Sequence, residues 1–264
     1  MIISIDGLDC SGKETLANVL GAKLRLKFPI PVRVISFPDY TSESGRFIKK
    51  LLSGDLKHIR SIIPDDEWVG IITRLFVINR AEFFATHKDI DPENEILICD
   101  RYSASNILYQ GQGLDNHELY QLVQFNNQLD YDVYKNPKPT ISIFLRVSFS
   151  ELKKRLKARK VSKAGVDNDV YEDLQFLKTS YHLSEYLITS GIGKDIFTNI
   201  INQTMYSEGE LVVYSANDCA DQIIAFIEKA IVEGFNKAKE KANIKVKEET
   251  KPEEKGVETN EIID

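Results

Sequence analysis

The chain has 264 residues, 42% hydrophobic and 28% charged, an ordinary soluble composition at a length suited to one large domain or at most two small ones. Its formal net charge of −6 gives no bulk electrostatic case for nucleic-acid or anionic-membrane binding. Three scattered cysteines (Cys10, Cys99, Cys219) form no C-x-x-C pair, which argues against a disulfide framework and for a reducing compartment, the cytoplasm.

In chain order, Ile2–Ile5 reads as a buried strand and Thr15–Phe28 as a helix. The run Met1–Ile5 lacks a basic leader and reaches a Gly-rich acidic loop at once, so it reads as a strand and not as a secretion signal. Val32–Phe37 is a second β-rich run, stopped by Pro38. From Trp68 to Thr86, Val69, Ile72, Leu75, Phe76 and Phe83 recur at helical spacing and predict a long helix. Ile96–Cys99 and Thr140–Val147 are further short apolar runs, followed by a basic helix at Ser150–Lys160. Glu210–Tyr214 is expected to supply a last strand before a helix at Ala220–Glu233, while the region 183–210 is longer than this scheme requires. No run approaches the roughly 20 apolar residues that span a bilayer. Alternating strands and helices predict an α/β fold with a parallel sheet over 1–235. Residues 236–264, dominated by Lys and Glu without an aromatic, cannot bury enough apolar area to offset ordering entropy. They are expected to be a disordered tail, whose first part could instead extend the last helix.

Chemistry enters with Gly7-Leu8-Asp9-Cys10-Ser11-Gly12-Lys13, placed between a strand and a helix as a G-x-x-x-x-G-K phosphate loop requires. Glycines let backbone N–H groups turn inward around phosphates, the helix N-terminus adds positive potential, and Lys13 reaches the β/γ oxygens. Gly7, Cys10, Ser11, Gly12, Lys13, Glu14 and Thr15 are therefore the expected ATP-phosphate ligands. Glu14 stands where the pattern has Ser or Thr on Mg²⁺. It could hold the ion through water, Thr15 could substitute, or Glu14 could simply favour the helix N-terminus. Asp100 and Arg101 close a buried strand, where ligand groups gather in open α/β sheets. An Asp there suits the water shell of Mg²⁺, and the Arg suits a phosphate. By itself the pair reads equally well as a surface ion pair.

Five segments in order carry a resemblance to the thymidylate kinase family of nucleoside monophosphate kinases. They are I-D-G-L-D-C-S-G-K; Phe37-Pro38-Asp39; L-F-V-I-N-R-A-E from Leu75 to Glu82; Asp100-Arg101-Tyr102-Ser103-Ala104-Ser105 running into Tyr109-Gln110-Gly111; and the basic helix ending Arg155-x-x-x-Arg159. The resemblance covers roughly 1–182. It implies a three-layer P-loop NTPase fold, a central parallel sheet flanked by helices, with a mobile lid at about 154–170. It also implies ATP-dependent phosphorylation of a pyrimidine deoxynucleoside monophosphate, dTMP to dTDP first, with Mg²⁺. In that family Phe76 would stack on the pyrimidine, Arg80 would bond its carbonyl edge, and Ser105 and Gln110 would touch the base. Asp9 would accept from the 3′-hydroxyl and Tyr109 would pack under the sugar. Arg101 would grip the acceptor phosphate, with Phe37, Pro38 and Tyr40 nearby.

Two departures stand out. Tyr40 occupies the place of the family's phosphate-binding Arg, with Lys49 or Lys50 as conceivable substitutes, and the loop itself carries no Arg. The lid must then supply catalytic charge from Arg155, Arg159, Lys160 and Lys163. The nucleophile, a phosphate oxygen, is already ionised, so catalysis would rest on alignment and charge neutralisation by Lys13, Arg101, Arg155 and Arg159. The family's common homodimer could use apolar residues in 68–86 and 117–129. The competing readings are a kinase for dUMP or a modified pyrimidine nucleotide, and a non-catalytic nucleotide-binding scaffold, the latter motivated by Glu14 and Tyr40. The four histidines have no metal-like spacing.

Overall fold

The computed structural model describes residues 1–162, 174–207 and 210–249. Residues 163–170 of the expected lid, Lys163 among them, and the tail from 250 onward lie outside the described residues. In chain order the elements are β1 (Ile2–Asp6), α1 (Lys13–Lys27), β2 (Val32–Ser36), α2 (Glu43–Leu52), the short α3 (Lys57–Arg60), α4 (Asp65–Thr86), β3 (Ile96–Asp100), α5 (Ser103–Gln110) and α6 (Asn116–Asn127). A π-helical turn at Gln128–Val133 continues α6. Then come β4 (Ile141–Arg146), α7 (Phe149–Ser162), α8 (Leu174–Thr189), the short α9 (Gly191–Lys194), β5 (Asn199–Asn202), β6 (Thr204–Ser207), β7 (Glu210–Val213) and α10 (Ala216–Glu249).

Five strands pair in parallel in the order β2-β3-β1-β4-β5. Parallel strands need crossovers and are covered on both faces, which is why β1 and β3 are mostly apolar and buried at every residue. The order reverses at β1, so the loops leaving β1 and β3 open at the switch point where α/β sheets bind ligands. α1 brings Leu16, Leu20 and Leu24, all fully buried, against that sheet. On the other side, Phe37, Phe83, Cys99 and Tyr102 form a second apolar cluster. Among the described residues no helix is long and apolar enough to cross a membrane, and the three cysteines are free thiols.

Glu210–Val213 is a strand just before the last helix, as expected, but it pairs antiparallel with β6 as a hairpin apart from the main sheet. The last strand of the main sheet is β5, inside the region that the pattern left without a role. A four-residue strand reading N-I-I-N carries too little apolar signal to be seen locally; burial of Ile201 against the β4 side of the sheet is what seats it. The last helix runs from Ala216 through Glu249, so the first part of the charged segment prolongs it.

Candidate active site

β1 ends at Asp6 and α1 begins at Lys13, leaving six residues to turn the chain. Cys10 (φ 64°) and Gly12 (φ 90°) adopt left-handed backbone, and Gly12 is the N-cap of α1. The alternation builds a concave nest of N–H groups at a helix N-terminus, a site for an anion. Lys13 is buried, its Nζ 3.3 Å from the Leu8 carbonyl. Burial, with Arg101 nearby, pulls its pKa down to about 8 against the opposing pull of Asp9, Asp100 and Asp6. A phosphate at the loop would favour the ammonium and raise that pKa again.

An open cleft of about 1500 Å³ lies over this loop. Asp9, Cys10, Gly12, Lys13, Glu14 and Thr15 line it from the loop side, and Asp100, Arg101, Arg155 and Arg159 from the facing elements. Gly7 and Ser11, also expected on the phosphates, do not line it. Ser11 is fully buried behind the loop, and a Cβ at Gly7 would meet Ser11 Oγ at 3.0 Å and the Leu145 carbonyl at 3.1 Å. These two shape the turn through their backbone. Glu14 and Thr15 are both exposed on the lip, so geometry leaves their shares of an ion open.

Arg155, expected in a mobile lid, is tied to the loop. Its Nη1 donates to the Ser11 carbonyl (2.8 Å), the Cys10 carbonyl (3.4 Å) and Gln203 Oε1 (2.8 Å), and its Nε to Glu151 (2.9 Å). Arg159, one turn further along α7, lines the same cleft.

Adjoining is a more enclosed pocket of about 580 Å³, and all ten expected acceptor residues line it: Asp9, Phe37, Pro38, Tyr40, Phe76, Arg80, Arg101, Ser105, Tyr109 and Gln110. Phe76 is half-buried on its wall and is not one of the fully sequestered core aromatics. Phe37 packs edge-on against Phe83 (5.2 Å) and Tyr102 (5.7 Å), with a cis bond to Pro38. Tyr40, 43% exposed, borders both cavities. Lys49 and Lys50 are exposed and border neither, so the structure gives them no part as substitutes for the missing Arg.

Arg101 holds a left-handed backbone (φ 67°), a strained conformation for a side-chain-bearing residue. It persists because both ends of the residue are fixed. Its N–H donates to the Ile5 carbonyl, while its guanidinium bonds Asp9 and the Tyr109 hydroxyl (3.0 Å). Burial opposes the charge, but Tyr109 and Asp9 outweigh it and raise the Arg101 pKa further. Asp9 is likewise held ionised by Arg101 and Lys13 against its own burial. Tyr109 stacks parallel on Phe176 of α8 at 5.9 Å.

Arg80 differs from expectation in detail. It is 2% exposed and forks onto Asp130, fully buried, through Nε (3.2 Å) and Nη2 (2.6 Å); Nη1 lies outside that fork. Asn136 donates to the same carboxylate at 2.7 Å. The Ser105 hydroxyl, expected at a base edge, donates to Asp6 Oδ1 at 2.6 Å, which also accepts from the Tyr102 N–H at 3.0 Å.

These supports carry no role in the sequence alone. Asp130 sits in the π-helical turn and Gln203 after β5, where no local pattern marks either. Asn79 and Glu82 were visible as motif letters without a role. Asn79 exchanges hydrogen bonds with the Asp39 backbone (2.8 and 3.1 Å), and Glu82 accepts from the N–H groups of Glu43 and Ser44. Together they fasten α4 to the start of α2, which holds the Phe37–Tyr40 segment over both cavities. Gly45 admits that approach, since a Cβ there would run into the Asp39 carbonyl.

An anion nest with a buried Lys at the switch point of a parallel sheet, joined to a lined pocket through a shared Arg, defines a P-loop phosphotransferase with a small-molecule acceptor. Family-level comparison narrows this. The thymidylate kinase family model matches residues 5–187. A thymidylate kinase of Mycoplasmopsis agalactiae is 28% identical over 210 residues, covering 75% of this chain and 86% of its own. One from Mycobacterium tuberculosis is 27% identical over 173 residues, covering 65% and 78%. The solved thymidylate kinase of Candida albicans superposes with a TM-score of 0.58 at 25% identity, covering 87% of this chain and 91% of that one. The chain belongs to the thymidylate kinase family and is a phosphotransferase.

Proposed function

We propose that the chain transfers the γ-phosphoryl group of ATP to dTMP, yielding dTDP and ADP for deoxynucleotide synthesis. The observation that carries this reading is the acceptor pocket. A half-buried aromatic (Phe76), a fixed Arg (Arg80) and an amide (Gln110) line the same cavity as Asp9, Arg101 and Tyr40, and that cavity meets the phosphate-loop cleft at Arg101. A flat base would lie against Phe76, with Arg80 Nη1 and Gln110 available to its polar edge. Tyr109, braced by Phe176, would close the sugar end. A phosphate beside Arg101 then points towards Lys13, and alignment with charge neutralisation does the rest, because the attacking oxygen needs no general base.

Mg²⁺ fits this site as an ion held mainly by phosphates and water. Among the described residues no group of three His, Cys, Asp or Glu could hold a metal alone. Asp100 Oδ1, however, is buried without a hydrogen-bond partner, and burial raises its pKa. Asp100 would take the ion's water shell, with Glu14 or Thr15 on the opposite lip. When bound, the ion supplies neutralising charge to the phosphates. Exposed Ile71 and Ile78 on α4 and Tyr120 on α6 supply a face for a homodimer, checked by light scattering across concentration. Free thiols support residence in the cytoplasm.

The deciding experiment is ADP release with dTMP, dUMP and 5-substituted relatives in competition. Preference for dTMP is expected. Failure of every pyrimidine deoxynucleotide to stimulate turnover would sink the acceptor assignment, and preference for dUMP would replace it.

A further inference from the structure

Arg155 does not stand alone against the phosphate loop. Its Nη1 reaches two loop carbonyls and, on the same nitrogen, the side-chain oxygen of Gln203. Gln203 is 5% exposed and follows β5 directly. Its own backbone is pinned at both polar groups: its N–H donates to the Arg146 carbonyl (2.9 Å) and its carbonyl accepts from the Tyr214 N–H (2.8 Å). The first bond continues the β4–β5 edge and the second closes the β6–β7 hairpin. The amide therefore stands at a place set by the main sheet and the hairpin together.

The loop side of the contact has a definite geometric meaning. A trans peptide is planar with its C=O and N–H on opposite sides. Holding the Ser11 carbonyl outward on Arg155 turns the Gly12 N–H inward, towards the concave face that takes an anion. Both side chains also lie against Gly12 itself. A Cβ there would meet Arg155 Nη1 at 3.6 Å and the Gln203 amide at 3.9 and 4.0 Å. Glu151 balances part of the Arg155 charge from one side. Gln203 supplies a neutral acceptor from the other, so it orients the guanidinium without adding negative charge beside the phosphates.

We infer that Gln203 is a positioning residue for the donor nucleotide: it holds Arg155 as a brace on the phosphate loop, and through its backbone it couples the β6–β7 hairpin to ATP binding. This rests on the loop being the ATP site, as proposed above. It gives the hairpin, which lies outside the main sheet, a mechanical role. It also makes Arg155 a residue that shapes the loop, leaving Arg159 as the second α7 cation on the cleft.

The test reads nucleotide affinity without acceptor, so it does not depend on which monophosphate is phosphorylated. Calorimetric titration with ATP and ADP would compare the full chain with Gln203→Met, which keeps the volume and removes the acceptor. Affinity is expected to fall about tenfold, the loss of one hydrogen bond to a charged group. KM for ATP should rise in parallel while KM for the acceptor stays within about twofold. In an Arg155→Met background the same change should have no further effect, because the brace is already gone. Gln203→Asn, too short to reach Arg155, should behave as Gln203→Met and stands in for it if the methionine variant does not fold. The inference is overturned if nucleotide affinity is unchanged in either variant, if the effect adds in full to that of Arg155→Met, or if the acceptor KM rises as much as that for ATP. A parent protein that binds no adenine nucleotide would instead overturn the ATP reading itself.

Discussion

The two halves of the proposed site are built differently. The acceptor pocket is framed by side chains already locked on one another: Arg80 on Asp130, Asn136 on the same carboxylate, Arg101 on Asp9 and Tyr109, Ser105 on Asp6. The donor cleft is open, its Lys13 folded back on a loop carbonyl, and it is shaped mainly by backbone. A preorganised pocket can discriminate a base, because a wrong partner leaves buried polar groups unpaired. A backbone nest recognises phosphate, which every nucleoside triphosphate carries. Selectivity should therefore reside in the acceptor half and the rate in the donor half.

The harshest way to break that contrast is to unlock the acceptor frame. Asp130→Ala leaves Arg80 as an uncompensated buried charge, and a stability loss of about 3–5 kcal/mol is expected by urea or thermal unfolding. A loss no larger than that of an exposed substitution would show that the pair does not organise the pocket. On the donor side, Lys13→Ala should lower kcat by about a thousandfold, the scale of removing one transition-state charge donor, with folding intact.

The same residue provides a pH test. On the proposed reading Lys13 binds phosphate as the ammonium, and burial pulls its pKa down to about 8, so KM for ATP should climb as pH rises through 8 while KM for the acceptor does not follow. A flat ATP profile from pH 7 to 9 would mean the ammonium is not the binding species.

Smaller effects sharpen the division. Phe76→Ala should raise the acceptor KM by about tenfold, from one lost aromatic contact, and leave the ATP KM alone. Tyr40→Arg restores a cation at the border of the two cavities. It should lower the acceptor KM by a few-fold, about 0.5–1 kcal/mol for a partly exposed charge, and the gain should shrink in high salt. If it lowers the ATP KM instead, Tyr40 belongs to the donor half.

Local pattern made part of this legible. The phosphate loop is read from consecutive residues because its geometry is local: two glycines, a lysine, a strand before and a helix after. The acceptor segments were legible through their resemblance to the thymidylate kinase family, and short-range spacing by itself put only Phe76 and Arg80 on one face of α4. Asp130, Gln203 and Phe176 were not read. Each acts through a partner dozens of residues away, and nothing about its neighbours in the chain distinguishes it. β5 was hidden for a related reason, since its pairing with β4 decides that it is a strand.

By itself the sequence determined the fold class, through its alternating strands and helices, and marked the phosphate loop by consecutive residues, while the acceptor residues came from the family resemblance that its motifs carry. The tertiary structure decided which of those residues are free to act. It tied Arg155 to two loop carbonyls, gave Arg80 a buried carboxylate and seated β5, not Glu210–Val213, at the edge of the main sheet. Those outcomes depend on contacts across the chain, and hydrogen bonds between distant residues form only once packing has brought their ends together.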